Sequence, residues 1–267
     1  MSERVIEVPP VPLEPTTYRE SDGSPMGETE WHVTWMLRLI HMLKAYFRPR
    51  ADVHVGGNLF MYYVEGRPSE VVCPDVFVAF GARPGMRRVW KTWEEGGLFP
   101  QAVIELTSTS SYHRDLSEKK GVYEYLGVRE YLIFDPSGET KLDPRLMGWT
   151  ARDGHLFPIA TEKSPGAELR LRCPGLGLHA ELAGGDTLRL RSIETGELLP
   201  FPEEEAEARQ AEAEARQAEA EARQAEAEAR QAEAKARQAE ADARRRAEAE
   251  VARLTAELGR LKSERKG

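Results

Sequence analysis

Cysteine is nearly absent from this 267-residue sequence, since only Cys73 and Cys173 occur and neither lies in a C-x-x-C or Cys/His cluster. Such sparse usage argues against a disulfide framework and against a structural zinc site. No apolar run reaches 18 residues, and the N-terminus does not resemble a signal peptide. We therefore expect a cytoplasmic protein with no membrane partner.

An excess of positive charge is also missing, because the formal net charge is −8. The segment from Glu203 onwards carries 17 acidic and 14 basic residues, so a net charge of −5 remains for the rest of the chain. This balance argues against a protein that its global charge holds to nucleic acid. Any contact with DNA must use a local basic patch.

The same C-terminal segment, residues 203–267, lacks proline and repeats with a period of seven. Arginine recurs at 209, 216, 223, 230, 237 and 244, and alanine fills the a and d positions of the heptad from 208 to 243. The pattern predicts one long helix with Glu-to-Arg pairs four residues apart. Two interpretations stay open, a homo-oligomeric coiled coil and a solitary charged helix. Larger seam residues come only at the end, at Val251, Leu254, Leu258 and Leu261.

Residues 1–202 have the mixed composition of a globular domain. Proline and turn formers predict an extended arm over 1–27, and apolar spacing predicts a helix over 28–47. We expect strands at 52–55, 58–64, 71–80, 101–106 and 130–135, and a helix from Asp115 to Gly127. Several short strands should follow over 145–191, with a hairpin turn at 151–154. This order predicts an α/β (α+β) domain.

Two acidic residues lie inside apolar strand candidates, Asp75 in VVCPDVFVAF and Glu105 in AVIEL. A carboxylate in a buried strand is costly to ionise unless it pairs with a cation, so the two together favour a divalent metal. Magnesium suits this chemistry, since it binds carboxylates and phosphate oxygens and activates water. The alternative is that both residues end strands and accept hydrogen bonds from turns.

The stretch from His113 to Leu116 spells the start of a protein-kinase catalytic loop, but Lys120 stands where that loop requires asparagine. The other kinase motifs are missing as well. Asp115 and Glu118 instead have the spacing of a capping box, so we interpret Asp115 as a helix cap.

A set of motifs resembles the Uma-type family of putative restriction endonucleases, which belongs to the PD-(D/E)XK nuclease superfamily. The resemblance runs from about Tyr18 to Pro136 and rests on Pro74-Asp75, Ile104 to Ser108, Asp115, Lys119, Tyr123, Gly127 to Leu132 and Asp135-Pro136. It implies a restriction-endonuclease-like core, in which a central mixed sheet flanked by helices holds Mg²⁺ or Mn²⁺ and cuts DNA.

The resemblance also implies roles for single residues. Asp75 and Glu105 would be catalytic metal ligands. The sequence departs from the superfamily pattern at Thr107, where a lysine is usual, so the resemblance suggests a migrated catalytic lysine, Lys119. Periodicity agrees, because Asp115, Lys119 and Tyr123 share one helical stripe. Lys120 is the second choice, and Tyr123 is more typical of a core residue.

The first predicted helix offers a further acid, Glu28, as a third metal ligand, and His32 lies on the same stripe. The helix dipole alone could favour Glu28 in a first turn, and His32 is more typical of a structural histidine.

A loop over 81–97 interleaves basic residues with Trp90 and Trp93. Such a loop could clamp DNA, or its tryptophans could pack on the domain. The candidate DNA contacts are Arg83, Arg87, Arg88 and Lys91.

The sequence thus predicts a Mg²⁺-dependent endonuclease that hydrolyses DNA and forms a homo-oligomer through its coiled coil. RNA is an alternative substrate. A second hypothesis is a catalytically inactive DNA-binding or scaffolding protein that keeps the nuclease fold, because a fold never guarantees an activity.

Overall fold

The computed structural model describes residues 16–21, 28–140 and 142–264, with side chains up to residue 259. Most of the predicted N-terminal arm, residues 1–15 and 22–27, lies outside the described residues, as does the side chain of Leu261. The contacts of the chain divide it into two compact units, Met1–Glu203 and Glu204–Gly267.

Thirteen strands occur in the described part of the first unit. In chain order they are β1 (Val53–Gly56), β2 (Met61–Tyr62), β3 (Val71–Val72), β4 (Val76–Phe80), β5 (Trp90–Lys91), β6 (Ala102–Leu106), β7 (Glu130–Phe134), β8 (Leu146–Arg152), β9 (His155–Pro158), β10 (Thr161–Ser164), β11 (Ala167–Cys173), β12 (Leu178–Ala183) and β13 (Thr187–Ser192). They form a six-stranded sheet in the order β1-β4-β6-β7-β8-β9, a four-stranded sheet β10-β11-β12-β13 and a three-stranded sheet β3-β2-β5.

The six-stranded sheet is mixed, because β6 and β7 run parallel while its other neighbouring strands are antiparallel. Helix α1 (Glu30–Phe47) begins after Thr29, whose side chain accepts a hydrogen bond from the His32 backbone. A composite helix follows β6 and consists of α2 (Tyr112–Arg114), a π-helical turn (Asp115–Lys119) and α3 (Lys120–Tyr125). The predicted α+β fold class, with a central mixed sheet and helices against it, is confirmed.

The central sheet is covered on both faces. Val76 and Val78 of β4 join a core with α1 and the four-stranded sheet, whereas Phe77 and Ala79 join a second core with Tyr123 of the composite helix. Burial on both faces explains why β4 and β6 read as continuous apolar runs rather than alternating ones. By the same alternation, Glu105 lies on the face that carries the composite helix.

Two strand predictions were wrong. The run 71–80 is not one strand, because Cys73 to Asp75 separate β3 from β4, which belong to different sheets. Pro74 has no backbone N–H to donate and so interrupts a ladder. The run 58–64 shortens to Met61–Tyr62. The predicted hairpin turn at 151–154 is confirmed, with Asp153 and Gly154 at φ 48° and 83° between β8 and β9.

The second unit contains most of α4 (Pro202–Glu264), a helix of 63 residues, and this confirms the long helix. It rises about 95 Å at about 1.5 Å per residue. The predicted Glu-to-Arg pairs form at Arg216, Arg223, Arg230 and Arg237, but Arg244 pairs with Glu248 rather than Glu240. Association through the helix stays a prediction. Within the described ranges, no helix combines the length and the apolar character that a bilayer crossing needs.

Candidate active site

The two acidic residues predicted from their apolar runs lie opposite each other. In the antiparallel β4–β6 pair, Val76 faces Ile104, so Asp75 and Glu105 are the next partners along the ladder. The Asp75 backbone nitrogen is 3.4 Å from Glu105 Oε2, and Asp75 Oδ2 accepts a hydrogen bond of 2.8 Å from the Leu106 backbone. The strand register therefore brings the two carboxylates together.

The backbone before β4 is held in place by a close neighbour. A Cβ atom on Gly57 would lie 2.1 Å from the Asp75 carbonyl oxygen, so only glycine permits this approach. The adjacent Asn58 backbone donates to the Pro74 carbonyl at 2.9 Å. These contacts position Asp75 where the chain leaves the three-stranded sheet.

The composite helix brings Lys119 to the carboxylates. Lys119 Nζ lies 2.9 Å from Glu105 Oε2 and 3.0 Å from Asp115 Oδ1. Both Lys119 and Asp115 belong to the π-helical turn, a local widening that is frequent at functional sites. The lysine thus comes from the helix, and Thr107 occupies the position two residues after Glu105 where a lysine is usual.

The interpretation of Asp115 as a helix cap was wrong. The helical segment already begins at Tyr112, and Asp115 is only 1% exposed. Its Oδ2 accepts a hydrogen bond of 2.9 Å from Thr107 Oγ1, while Oδ1 faces the Lys119 ammonium. The carboxylate therefore binds side chains of the site instead of free backbone groups.

Tyr123 is fully buried in the core, as predicted, and its hydroxyl also donates to Glu105 Oε1 at 2.5 Å. Glu105 is fully buried as well, so Lys119 and Tyr123 together satisfy both of its oxygens. On the neighbouring strand β7, the Tyr131 hydroxyl donates to the Asp115 carbonyl at 2.8 Å.

The pKa values of the two central carboxylates shift in opposite directions. Burial raises the pKa of Glu105 well above its usual value, and nearby Asp75 and Asp115 add to this against the attraction of Lys119. Burial also opposes ionisation of Asp75, but the His32 hydrogen bond and the Lys119 charge outweigh it, so the pKa of Asp75 is lowered. Lys119 is buried, yet the two carboxylates it contacts raise its pKa.

His32 is the residue that sequence reasoning undervalued. Its Nε2 lies 3.3 Å from Asp75 Oδ1, and its Nδ1 lies 3.5 Å from Glu28 Oε2. Burial lowers the pKa of His32, but the hydrogen bond and charge of Asp75 outweigh this, so the net shift is upward. Glu28 is 45% exposed and is joined to Asp75 through the imidazole. The sequence pattern that could have indicated this contact is the helical stripe shared by Glu28, His32 and Trp35.

The donors suit a hard cation. Three acids, Asp75, Glu105 and Asp115, lie near one lysine, so a divalent ion would add the positive charge that favours ionised Glu105. Within the described ranges, no three His, Cys, Asp or Glu side chains are grouped so that they could hold a metal ion. Magnesium does not need such a cage, because it commonly binds through one or two carboxylates together with water and substrate phosphates. Asp75 and Glu105 fit that mode.

A cleft of about 340 Å³ borders the site. Lys119 contributes to its wall, and so do Cys73 beside the β3–β4 break and Arg114 of α2. The remaining lining residues are Phe60, Tyr63, Val71, Val72, Glu118 and Val122. The cleft therefore gives access to the Lys119 side chain.

The four basic residues predicted to contact DNA differ in their surroundings. Arg87 is 9% exposed, bonds Glu95 through two nitrogens and stacks 4.7 Å from the Trp90 ring centroid. These contacts give it a structural role in the loop. Arg83 and Arg88 are 71% and 83% exposed.

Lys91, the fourth, pairs with Glu94 at 2.8 Å and lies 5.1 Å from the Tyr18 ring centroid. Trp90 is fully buried, and the Trp93 ring contacts Tyr18. Both tryptophans therefore pack on the domain, as the second interpretation of the loop expected.

Comparison with known proteins gives a family match that spans these residues. A family model described as "Putative restriction endonuclease" covers residues 19–147, which include both carboxylates and Lys119. These residues match the Uma2 family. The resemblance predicted from the motifs is therefore confirmed, and the match supports a nuclease.

Among solved structures, the chain is similar to the crystal structure of a putative nuclease belonging to DUF820 from Anabaena variabilis. The two share 12% identity with a TM-score of 0.39, over 56% of this chain and 75% of the other. The curated proteins include no match to the chain.

Proposed function

We propose that this protein is a Mg²⁺-dependent endonuclease that hydrolyses DNA phosphodiester bonds. In this proposal residues 1–202 form the nuclease domain, and residues 203–267 form a coiled coil that joins copies of the chain. The observation that carries the proposal is the 2.9 Å contact between Lys119 Nζ and Glu105 Oε2, beside Asp75. A cation and two acids from separate segments meet at one point, as hydrolysis of a phosphodiester requires.

Asp75 and Glu105 would hold the ion. Bound Mg²⁺ would neutralise charge on the phosphate and lower the pKa of water. Asp75 keeps its negative charge because His32 and Lys119 favour its ionised form. Tyr123 fixes one oxygen of Glu105, which leaves the oxygen facing Lys119 to respond to ligands.

Lys119 supplies the positive charge that Thr107 lacks. Its side chain is 14% exposed at the border of the cleft, and Asp115 anchors its ammonium. There it can stabilise the attacking water or the negative charge that develops on the phosphate. Preorganised cations of this kind contribute about 10²- to 10³-fold in rate.

Plasmid nicking by the purified chain tests the proposal. With Mg²⁺ or Mn²⁺ we expect cleavage that EDTA removes and that Asp75→Asn and Glu105→Gln abolish. Lys119→Met should lower the rate about 10²- to 10³-fold. Lys120→Met is the matched control, because Lys120 is the next residue and pairs with Glu124 away from the carboxylates. Equal rates for the two lysine variants would contradict the assignment of Lys119.

The inactive DNA-binding or scaffolding protein is the second candidate function. The contacts that favour it are those that satisfy Glu105 completely within the protein. Titration calorimetry separates the two, since an inactive scaffold should bind neither Mg²⁺ nor Mn²⁺, whereas the nuclease should bind them and lose this binding in Asp75→Asn. Cleavage of RNA in place of DNA would change the substrate but keep the site.

A further inference from the structure

A second cleft, of about 320 Å³, lies at the edge strand β1 and is lined by basic residues. Of its eleven lining residues, four are Lys44, Arg48, Arg50 and Arg83, and none is acidic. In a chain whose net charge is −8, such a grouping of cations is a local reversal of the overall balance.

The four cations come from different parts of the fold. Lys44 lies in the last turn of α1 and Arg48 directly after it, where the helix dipole favours positive charge. Arg50 comes from the turn before β1, and Arg83 from the loop after β4. The dipole of α1 gives no reason for these two arginines to converge on the same cleft.

Local acids neutralise this cleft only in part. Arg50 pairs with Asp52 at 2.8 Å, and Arg83 is 3.8 Å from Glu95, a carboxylate that Arg87 already binds at 2.8 Å. No residue in the described part of the chain forms an ion pair with Lys44 or Arg48. Both side chains are exposed, so their charges are available to a ligand.

His54 also lines the cleft, and its pKa is lowered. Burial lowers its pKa, and the charges of Arg87 and Lys44 lower it further. The lowered pKa favours the neutral imidazole, whose Nδ1 lies 3.2 Å from Arg87 Nη1.

The cleft and the candidate active site lie at opposite ends of one pair of strands. In the β1–β4 ladder Val53 faces Phe80 at the cleft end, whereas Asp75 precedes the other end. Five residue steps lead from Asp75 to Phe80, so the ends are about 16 Å apart at about 3.3 Å per residue. That distance corresponds to about five base pairs of duplex rise. One duplex can reach both.

We propose that this edge-strand cleft binds a backbone phosphate of the nucleic acid, remote from the phosphate that reacts. Lys44, Arg48 and Arg83 supply the charge, and the site contributes affinity and register without reading sequence. The nucleic-acid class of the ligand rests on the proposed function.

The test is duplex binding by the full chain, with Ca²⁺ in place of Mg²⁺, across a range of salt concentrations. Lys44→Gln/Arg48→Gln should lower the slope of log affinity against log salt by about 0.9 for each phosphate that the variant no longer neutralises. Between 50 and 200 mM salt this makes the change in affinity about 3.5-fold smaller for each such phosphate. Arg83→Gln, in a different segment, should act in the same direction.

The matched control is Arg152→Gln/Lys163→Gln, which removes two exposed charges outside the cleft. A slope equal to that of the control, or absence of duplex binding by the wild-type chain, would overturn the proposal. Cleavage is scored separately with Mg²⁺. If the chain binds DNA with the expected slopes but does not cut it, the cleft proposal is supported and the nuclease proposal fails. If the chain cuts DNA but the variants leave the salt slope unchanged, the nuclease proposal is supported and the cleft proposal fails.

Discussion

Moving the lysine back from the helix to the strand should restore activity to a variant that lacks it. Thr107 Oγ1 lies 2.9 Å from Asp115 Oδ2, and Lys119 Nζ lies 3.0 Å from Asp115 Oδ1. Positions 107 and 119 therefore reach the same carboxylate from two sides. In Lys119→Ala/Thr107→Lys, the new side chain can occupy the volume that the old one vacates.

The expected magnitudes follow from these contacts. Loss of one preorganised cation in Lys119→Ala should lower kcat about 10²- to 10³-fold, equivalent to about 2.7–4 kcal/mol. Thr107 is only 1% exposed, and the exchange loses its hydrogen bond, worth about 0.5–1.5 kcal/mol, while it restores an ion pair. We expect the double variant to recover at least about tenfold, or about 1.4 kcal/mol.

Single-turnover nicking at saturating Mg²⁺ measures the rate of chemistry directly. Lys119→Ala/Thr107→Met is the matched control, because it fills the same volume without a charge and should stay as slow as Lys119→Ala. If the lysine and methionine versions cut at the same rate while both are folded, the idea of one motif divided between strand and helix is refuted.

Two further predictions concern stability and assembly. Burial raises the pKa of Glu130 to about 7, although the Gly175 and Leu176 backbones donate hydrogen bonds to it. Unfolding between pH 4.5 and 7 therefore releases the proton of Glu130. As the pH rises through this range, the free energy of unfolding should fall by about 3 kcal/mol. Urea unfolding at pH 5 and 8 should show this loss of unfolding free energy in the wild type and not in Glu130→Gln. An equal change between the two pH values in both proteins would contradict the prediction. For the tail, Leu254→Ser/Leu258→Ser should convert an oligomer into monomers in sedimentation velocity, since each buried leucine contributes about 1.5–3 kcal/mol; an unchanged mass would argue for a solitary helix.

Much of the fold could be predicted because burial leaves a strong pattern. The α+β class, α1 and the hairpin at 151–154 follow from apolar periodicity and turn residues, whereas the central mixed sheet was implied by the family resemblance. The error at 71–80 has a local cause, since apolar residues on both sides of Pro74 continue the pattern while the backbone cannot continue the ladder. The length of an apolar run therefore overstates a strand that contains proline.

The site was less visible than the fold, because its contacts join residues far apart in sequence. The approach of Lys119 to Glu105 followed from helical spacing and from a family resemblance. By contrast, Asp115 has the spacing of a cap, and nothing local tells that its partners are Thr107 and Lys119. The role of His32 depends on where α1 crosses the end of β4, a tertiary fact that no single segment contains.

The threonine at the usual lysine position remains part of the same arrangement. Thr107 donates to Asp115, Asp115 faces the ammonium of Lys119, and Lys119 donates to Glu105. The chain of contacts thus returns to the strand two residues from where it began. Since each member is at most 14% exposed, removal of one would leave a buried polar partner unsatisfied. In this protein Thr107 does not supply the positive charge. It orients Asp115, and Asp115 holds the Lys119 ammonium in place.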